Sequence, residues 1–204
     1  MRKAIVIGLT GQTGAGKSTV AKLLESKGCA IVSADEKARE VVLPGSPILP
    51  ELQTAFGEDV ICEDGTLNRA LLAERAFAGE ATKKKLNDIM HPAIVELMEE
   101  AKENFISLGE TVVVMDASQL FEAHMENIVD AVVSVVAPED ERAGRICKRD
   151  LISDSAARLR MNAQFSEAFF REHSDFVVEN DGDRKHLEKE VDKLFKFINT
   201  LKKD

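Results

Sequence analysis

Apolar positions along the chain follow two different rhythms. Residues 4–9 form a continuous apolar run rich in β-branched side chains, the pattern of a strand buried on both faces of a parallel sheet. A Gly-rich turn follows from Gly11 to Gly16, and residues 18–27 then have the spacing of a helix ended by Gly28. Residues 29–33 predict a second short strand, and residues 35–42 a short helix stopped by Pro44-Gly45. Strand, helix and strand in this order predict a right-handed βαβ unit.

The middle third changes character. From residue 48 to 108 the pattern contains no strand and three or four helical stretches. Asn68 is placed to cap a helix over residues 69–77, and Pro92 to open a long helix through Phe105. The strand pattern returns at residues 111–115, 131–136 and 176–178, with helices expected from Glu139, Ser155 and Arg184. The expectation is an α/β protein of three layers, helices on both sides of a five-stranded parallel sheet, with a helical insertion after the second strand. All 204 residues are read as one domain (1–204), the insertion spanning residues 36–110.

Composition narrows the partners more than the fold. Hydrophobic residues are 44% and charged residues 31%, too apolar for a disordered chain. Phe is the only aromatic, and the net charge is -9, so neither a base-stacking platform nor a global basic field exists for nucleic acid. The three cysteines, Cys29, Cys62 and Cys147, lie too far apart for a paired zinc or redox motif. Met1-Arg2-Lys3 and the apolar run after it begin like a signal peptide, but the run breaks at the Gly-rich turn. No stretch approaches the length of a membrane span, so the cytoplasm is the expected location. Lys83-Lys84-Lys85 reads as a solvated helix face.

The strongest chemical signal is Gly11-Gln12-Thr13-Gly14-Ala15-Gly16-Lys17-Ser18, which matches G-x-x-x-x-G-K-[ST] and lies between a buried strand and a helix. Glycines let the backbone wrap a phosphate with its N–H groups turned inward, and the helix N-terminus adds its positive end. Lys17 then reaches the outer phosphates and Ser18, followed by Thr19, lies where Mg²⁺ is ligated. The motif predicts a P-loop nucleotide site for ATP. No N-K-x-D guanine loop occurs, since Asn180-Asp181 lacks the lysine.

A kinase also needs a base and a cationic clamp. Asp35 falls just past the second strand, the edge where ligands collect in open α/β sheets and where a carboxylate could take a hydroxyl proton; a helix N-cap is the plainer reading and is compatible with it. Arg142, Arg145 and Arg149 recur at helical spacing after the fourth strand, as a clamping lid would require or as a solvated basic face would show. Asp116 closes the third strand as a Mg²⁺-shell acid or a turn residue, and His91 is a candidate ligand or a packed imidazole.

Together these residues resemble the dephospho-CoA kinase family along nearly the whole chain. The resemblance is carried by the early P-loop, Ser33-Ala34-Asp35-Glu36-Lys37-Ala38-Arg39, Asp64-Gly65-Thr66-Leu67-Asn68-Arg69, His91-Pro92 and Leu120-Phe121-Glu122. Arg145, Arg149-Asp150, Gln164 and Glu179-Asn180-Asp181-Gly182 continue it. It implies transfer of the γ-phosphate of ATP to the ribose 3′-hydroxyl of dephospho-CoA. Asp35 would be the base, Arg39 and His91 acceptor contacts, Arg145 and Arg149 lid residues within 139–165, and Asn180 a neighbour of the adenine. The helical insertion would hold the CoA moiety. Another P-loop small-molecule or nucleoside-monophosphate kinase, or a nucleotide-binding regulator without turnover, stays open from the residues alone. Three departures stand out: Ser33 in place of an aspartate, Ala117-Ser118-Gln119 in place of an apolar, proline-containing stretch, and Phe169-Phe170 where the family often has a basic residue.

Overall fold

The computed structural model describes residues 4–201. The signal-like start at Met1-Arg2-Lys3 lies outside the described residues. By contacts the chain divides into two compact units, the second spanning Ser33–Ala101 and the first comprising the residues before and after it.

The first unit is built on a sheet of strand order β2-β3-β1-β4-β5, where β1 is Ile5–Gly11, β2 Ala30–Ser33, β3 Val112–Asp116, β4 Ala131–Val136 and β5 Phe176–Glu179. The β1–β3, β1–β4 and β4–β5 ladders are parallel, Gly8 facing Met115 on one side and Val132 on the other. Every residue of β1 is buried, as its uninterrupted apolar sequence requires of a central strand. Ile5, Ile7, Leu9, Val112, Val114, Val133 and Val135 pack with α1 (Lys17–Ser26) and α9 (Arg184–Leu201) through Val20, Leu24, Leu187, Val191, Leu194 and Ile198. The alternating residues Val6, Val113, Met115, Val132 and Val136 are buried too, so both faces of the sheet are covered.

Strand β4 leads into α6 (Glu139–Asp150) and α7 (Asp154–Asn162), which meet over Ala143, Ile146, Ala157 and Met161. A short helix, α8 (Glu167–Glu172), was not anticipated from the sequence. Its rings explain the Phe169-Phe170 departure: Phe169 lies edge-on to Phe121 at 5.1 Å and stacks on Phe165 and on His173 at 4.0 Å each.

The second unit contains α2 (Ala34–Glu40), α3 (Leu49–Phe56), α4 (Arg69–Ala76) and most of α5 (Glu80–Ser107). Asn68 caps α4 as expected, its Oδ1 accepting from Leu71 N–H at 3.1 Å. Two expectations are corrected. Ser33, not Asp35, caps α2, accepting from Glu36 N–H at 3.3 Å, so the serine does what an aspartate would do there. Pro92 does not open a helix but lies inside the 28-residue α5. A proline there forfeits one helical hydrogen bond. Ile89, Met90, Ala93, Ile94 and Leu97, before and after it, pack on the Leu52, Phe56, Val60 and Leu72 cluster and carry the helix through.

Candidate active site

The phosphate loop occupies the turn from β1 to α1, and β1 is the strand beside which the sheet order changes direction. Gly11 ends β1 in register with Val135, and Gln12 N–H donates to Val135 C=O at 3.2 Å, fixing where the loop departs. Gly16 has a φ of 99° and directly precedes α1. The N–H groups of Gly14, Gly16, Lys17 and Ser18 have no hydrogen-bond partner among the described residues. Loop amides left unpaired at a helix N-terminus are the donor set that an anion completes.

Side chains from distant elements hold this loop. Asn180, buried after β5, donates through Nδ2 to Ala15 C=O at 2.6 Å. Arg145 of α6 donates to the carbonyls of Gly14 and Ala15 at 3.3 and 3.4 Å and to Glu141 at 2.6 Å. Gln164 accepts from Thr13 N–H at 2.7 Å. Lys17 pairs with Asp116 at the end of β3, both largely buried. Ser18 and Thr19 are exposed in the first turn of α1, and the Ser18 hydroxyl has no partner among the described residues.

The structure thus brings together Lys17, Asp116, Arg145, Asn180 and the loop backbone. Arg149 lies one turn further along α6, its guanidinium bound to Asp150 at 2.7 and 2.9 Å. That bond raises the pKa of Arg149 and lowers that of Asp150. Asp35, Arg39 and His91 belong to the second unit. Asp35 is exposed in the first turn of α2, and its carboxylate has no partner among the described residues. Arg39 C=O accepts from Arg69 at 3.4 Å. His91 Nε2 is buried within α5 without a partner among the described residues. In the same unit a groove of about 630 Å³ is lined by Val41, Pro44, Ile48, Pro92 and Leu97, with Glu40 and Glu96 on its walls. Gln164 was noticed only as part of the family resemblance. Its contact spans 151 residues, a range at which periodicity carries no signal.

An unpaired amide cradle between a parallel strand and a helix, with a lysine held by a strand-end aspartate, defines a P-loop nucleotide-binding protein. A family model for dephospho-CoA kinase matches residues 5–186. A dephospho-CoA kinase from Listeria monocytogenes is 37% identical over 198 residues, 97% of this chain and 98% of the relative. One from Syntrophotalea carbinolica is 42% identical over 181 residues, 87% of this chain and 84% of its own length. A crystal structure from Thermus thermophilus superposes with a TM-score of 0.80 at 30% identity, covering 96% of this chain and 98% of that one. The chain belongs to the dephospho-CoA kinase family.

Proposed function

We propose that this chain transfers the γ-phosphate of ATP to the ribose 3′-hydroxyl of dephospho-CoA, releasing CoA and ADP. The observation that carries the reading is the set of unpaired amides at Gly14, Gly16, Lys17 and Ser18 in a chain whose sequence matches this family almost throughout. In the reaction the acceptor oxygen bonds to the γ-phosphorus, the bond to the β–γ bridging oxygen breaks, and the hydroxyl proton is taken by a base. Asp35 is that base: its exposed carboxylate is not occupied in capping α2, a role Ser33 has taken. The loop amides and Lys17 hold the outer phosphates and stabilise the charge that gathers on them.

Ser18 would supply a hydroxyl to a magnesium ion and Asp116 an acid to its surrounding shell, chemistry both residue types suit. The ion would neutralise charge on the phosphate oxygens. Arg149 and the α6–α7 region, 139–165, form the lid, while Arg145 and Asn180 keep the loop in shape. The helical unit holds the acceptor, with Arg39 and His91 as its contacts, and the reaction takes place in the cytoplasm. The deciding experiment is an ADP-release assay with dephospho-CoA, AMP, dTMP and shikimate as acceptors. Turnover confined to dephospho-CoA is the expected result; preference for another acceptor would replace the reading.

A further inference from the structure

In the first unit Gln164 and Arg142 keep unused donors; the Gln164 amide meets Thr13, and the Arg142 backbone and Cβ lie against Gly14. The first is Gln164, just past α7, whose Oε1 accepts from Thr13 N–H at 2.7 Å. A backbone N–H can only donate, so this bond settles which end of the side-chain amide is oxygen. The Nε2 group is left with two protons and no partner among the described residues.

The second is Arg142 in α6. Its backbone is packed so closely on Gly14 that a Cβ added there would lie 2.8 Å from the Arg142 carbonyl oxygen. The residue is only 7% exposed, and its Nε has no hydrogen-bond partner among the described residues. Burial lowers its pKa, against the opposing pull of Glu139 and Glu167. Those two carboxylates are themselves engaged by Arg158 and Arg171. A buried guanidinium nitrogen without an acceptor is costly to keep, and an anion bound there recovers that cost.

The other half of the loop has its own donors in the Gly16, Lys17 and Ser18 amides and the helix end. With the inner phosphates there, the outermost one falls toward the earlier loop residues. We propose that the Gln164 amide nitrogen and the Arg142 guanidinium read the terminal phosphate of the donor nucleotide and so separate a nucleoside triphosphate from a diphosphate. This inference rests on the ATP-dependent reading above and sharpens it, giving two side chains of the 139–165 region a particular phosphate to contact.

Gln164→Glu tests it most directly. The variant keeps an oxygen for Thr13 N–H but turns the donor into an anion. Titration calorimetry of the full chain with ADP and with β,γ-imido-ATP, no acceptor present, reads the outcome for the wild type, Gln164→Glu and Arg142→Gln. The ADP dissociation constant should stay within about twofold, while that for β,γ-imido-ATP rises at least about tenfold in each variant. Equal weakening toward both nucleotides, or an unchanged ratio between them, overturns the inference and leaves the donor assignment standing. Wild-type protein that binds neither nucleotide overturns the donor assignment, and the inference with it. Unliganded melting curves are recorded alongside. Should Arg142→Gln fail to fold, the half-exposed Gln164 decides the matter alone.

Discussion

The ammonium of Lys17, in the first turn of α1, is held by the carboxylate of Asp116 at the C-terminal end of β3. One end of the nucleotide site is therefore a charge pair anchored to the central sheet, with the ammonium directed before any phosphate arrives. Lys17→Ala should cut turnover by about 10²–10³ or more, the effect of losing a preorganised charge in a transition state. ADP release under saturating substrates checks this, with a melting curve recorded alongside to establish that the variant is folded. Turnover within threefold of wild type would remove Lys17 from the chemistry.

Asp35→Asn removes a base but keeps size and polarity. A drop of about 10²–10⁴ in kcat is expected, with the affinity for β,γ-imido-ATP within twofold of wild type. The split between rate and binding is what identifies a base. A comparable loss of nucleotide affinity would instead mark Asp35 as a binding residue.

The contact between Gly16 and Asn180 gives a structural prediction. Gly16 lies at φ 99°, and a methyl group there would overlap the Asn180 Nδ2. Gly16→Ala should cost at least about 1–2 kcal/mol from backbone conformation alone, before the overlap is counted. Asn180→Ala should cost about 1–2 kcal/mol through the lost bond to Ala15 and also weaken nucleotide binding. Urea denaturation and calorimetry measure both effects. Full stability of Gly16→Ala would contradict the packing described.

At the junction of α6 and α7, Asp150 accepts from both Arg149 and Arg160. The Arg149 hydrogen bond, foremost, holds the Asp150 pKa below its ordinary 3.8. A carboxyl lowered on folding stabilises fully above that ordinary value, and the contribution is lost as acid titrates the group below it. Amide protection over residues 145–160, taken relative to the unstructured chain at the same pH, should therefore fall below about pH 3.8 in the wild type. Asp150→Asn should show the lower protection already at pH 7. Identical exchange in the two proteins at neutral pH would show that the contact orders nothing.

What the sequence made legible was local or repetitive. The strand at residues 131–136 is found at those bounds, Gly28 takes up the left-handed turn after α1, and Asn68 caps α4. Each follows from a short-range rule: an apolar run, a missing Cβ, a carboxamide beside free N–H groups. The misreadings arose where tertiary packing outweighed a local rule. Pro92 normally marks a helix start, yet the apolar contacts of Ile89, Met90, Ala93 and Ile94 sustain α5 through it. Asp35 and Ser33 are both good caps, and only the geometry of the β2–α2 junction chose the serine. The phosphate loop itself was plain from its glycines, but its supports were not. Asn180 and Gln164 reach the loop from 165 and 151 residues away, and no periodicity records such a meeting.

Those supports bear on how quickly the site can be filled. A glycine-rich turn on its own would wander among many shapes, and an arriving nucleotide would have to select or create the receptive one. Here Asn180, Arg145 and Gln164 fasten it from separate helices and strands, so little freedom is left to surrender at the moment of capture. Nucleotide association should then run at the pace of encounter in solution, with a single kinetic phase whose rate rises linearly with nucleotide concentration.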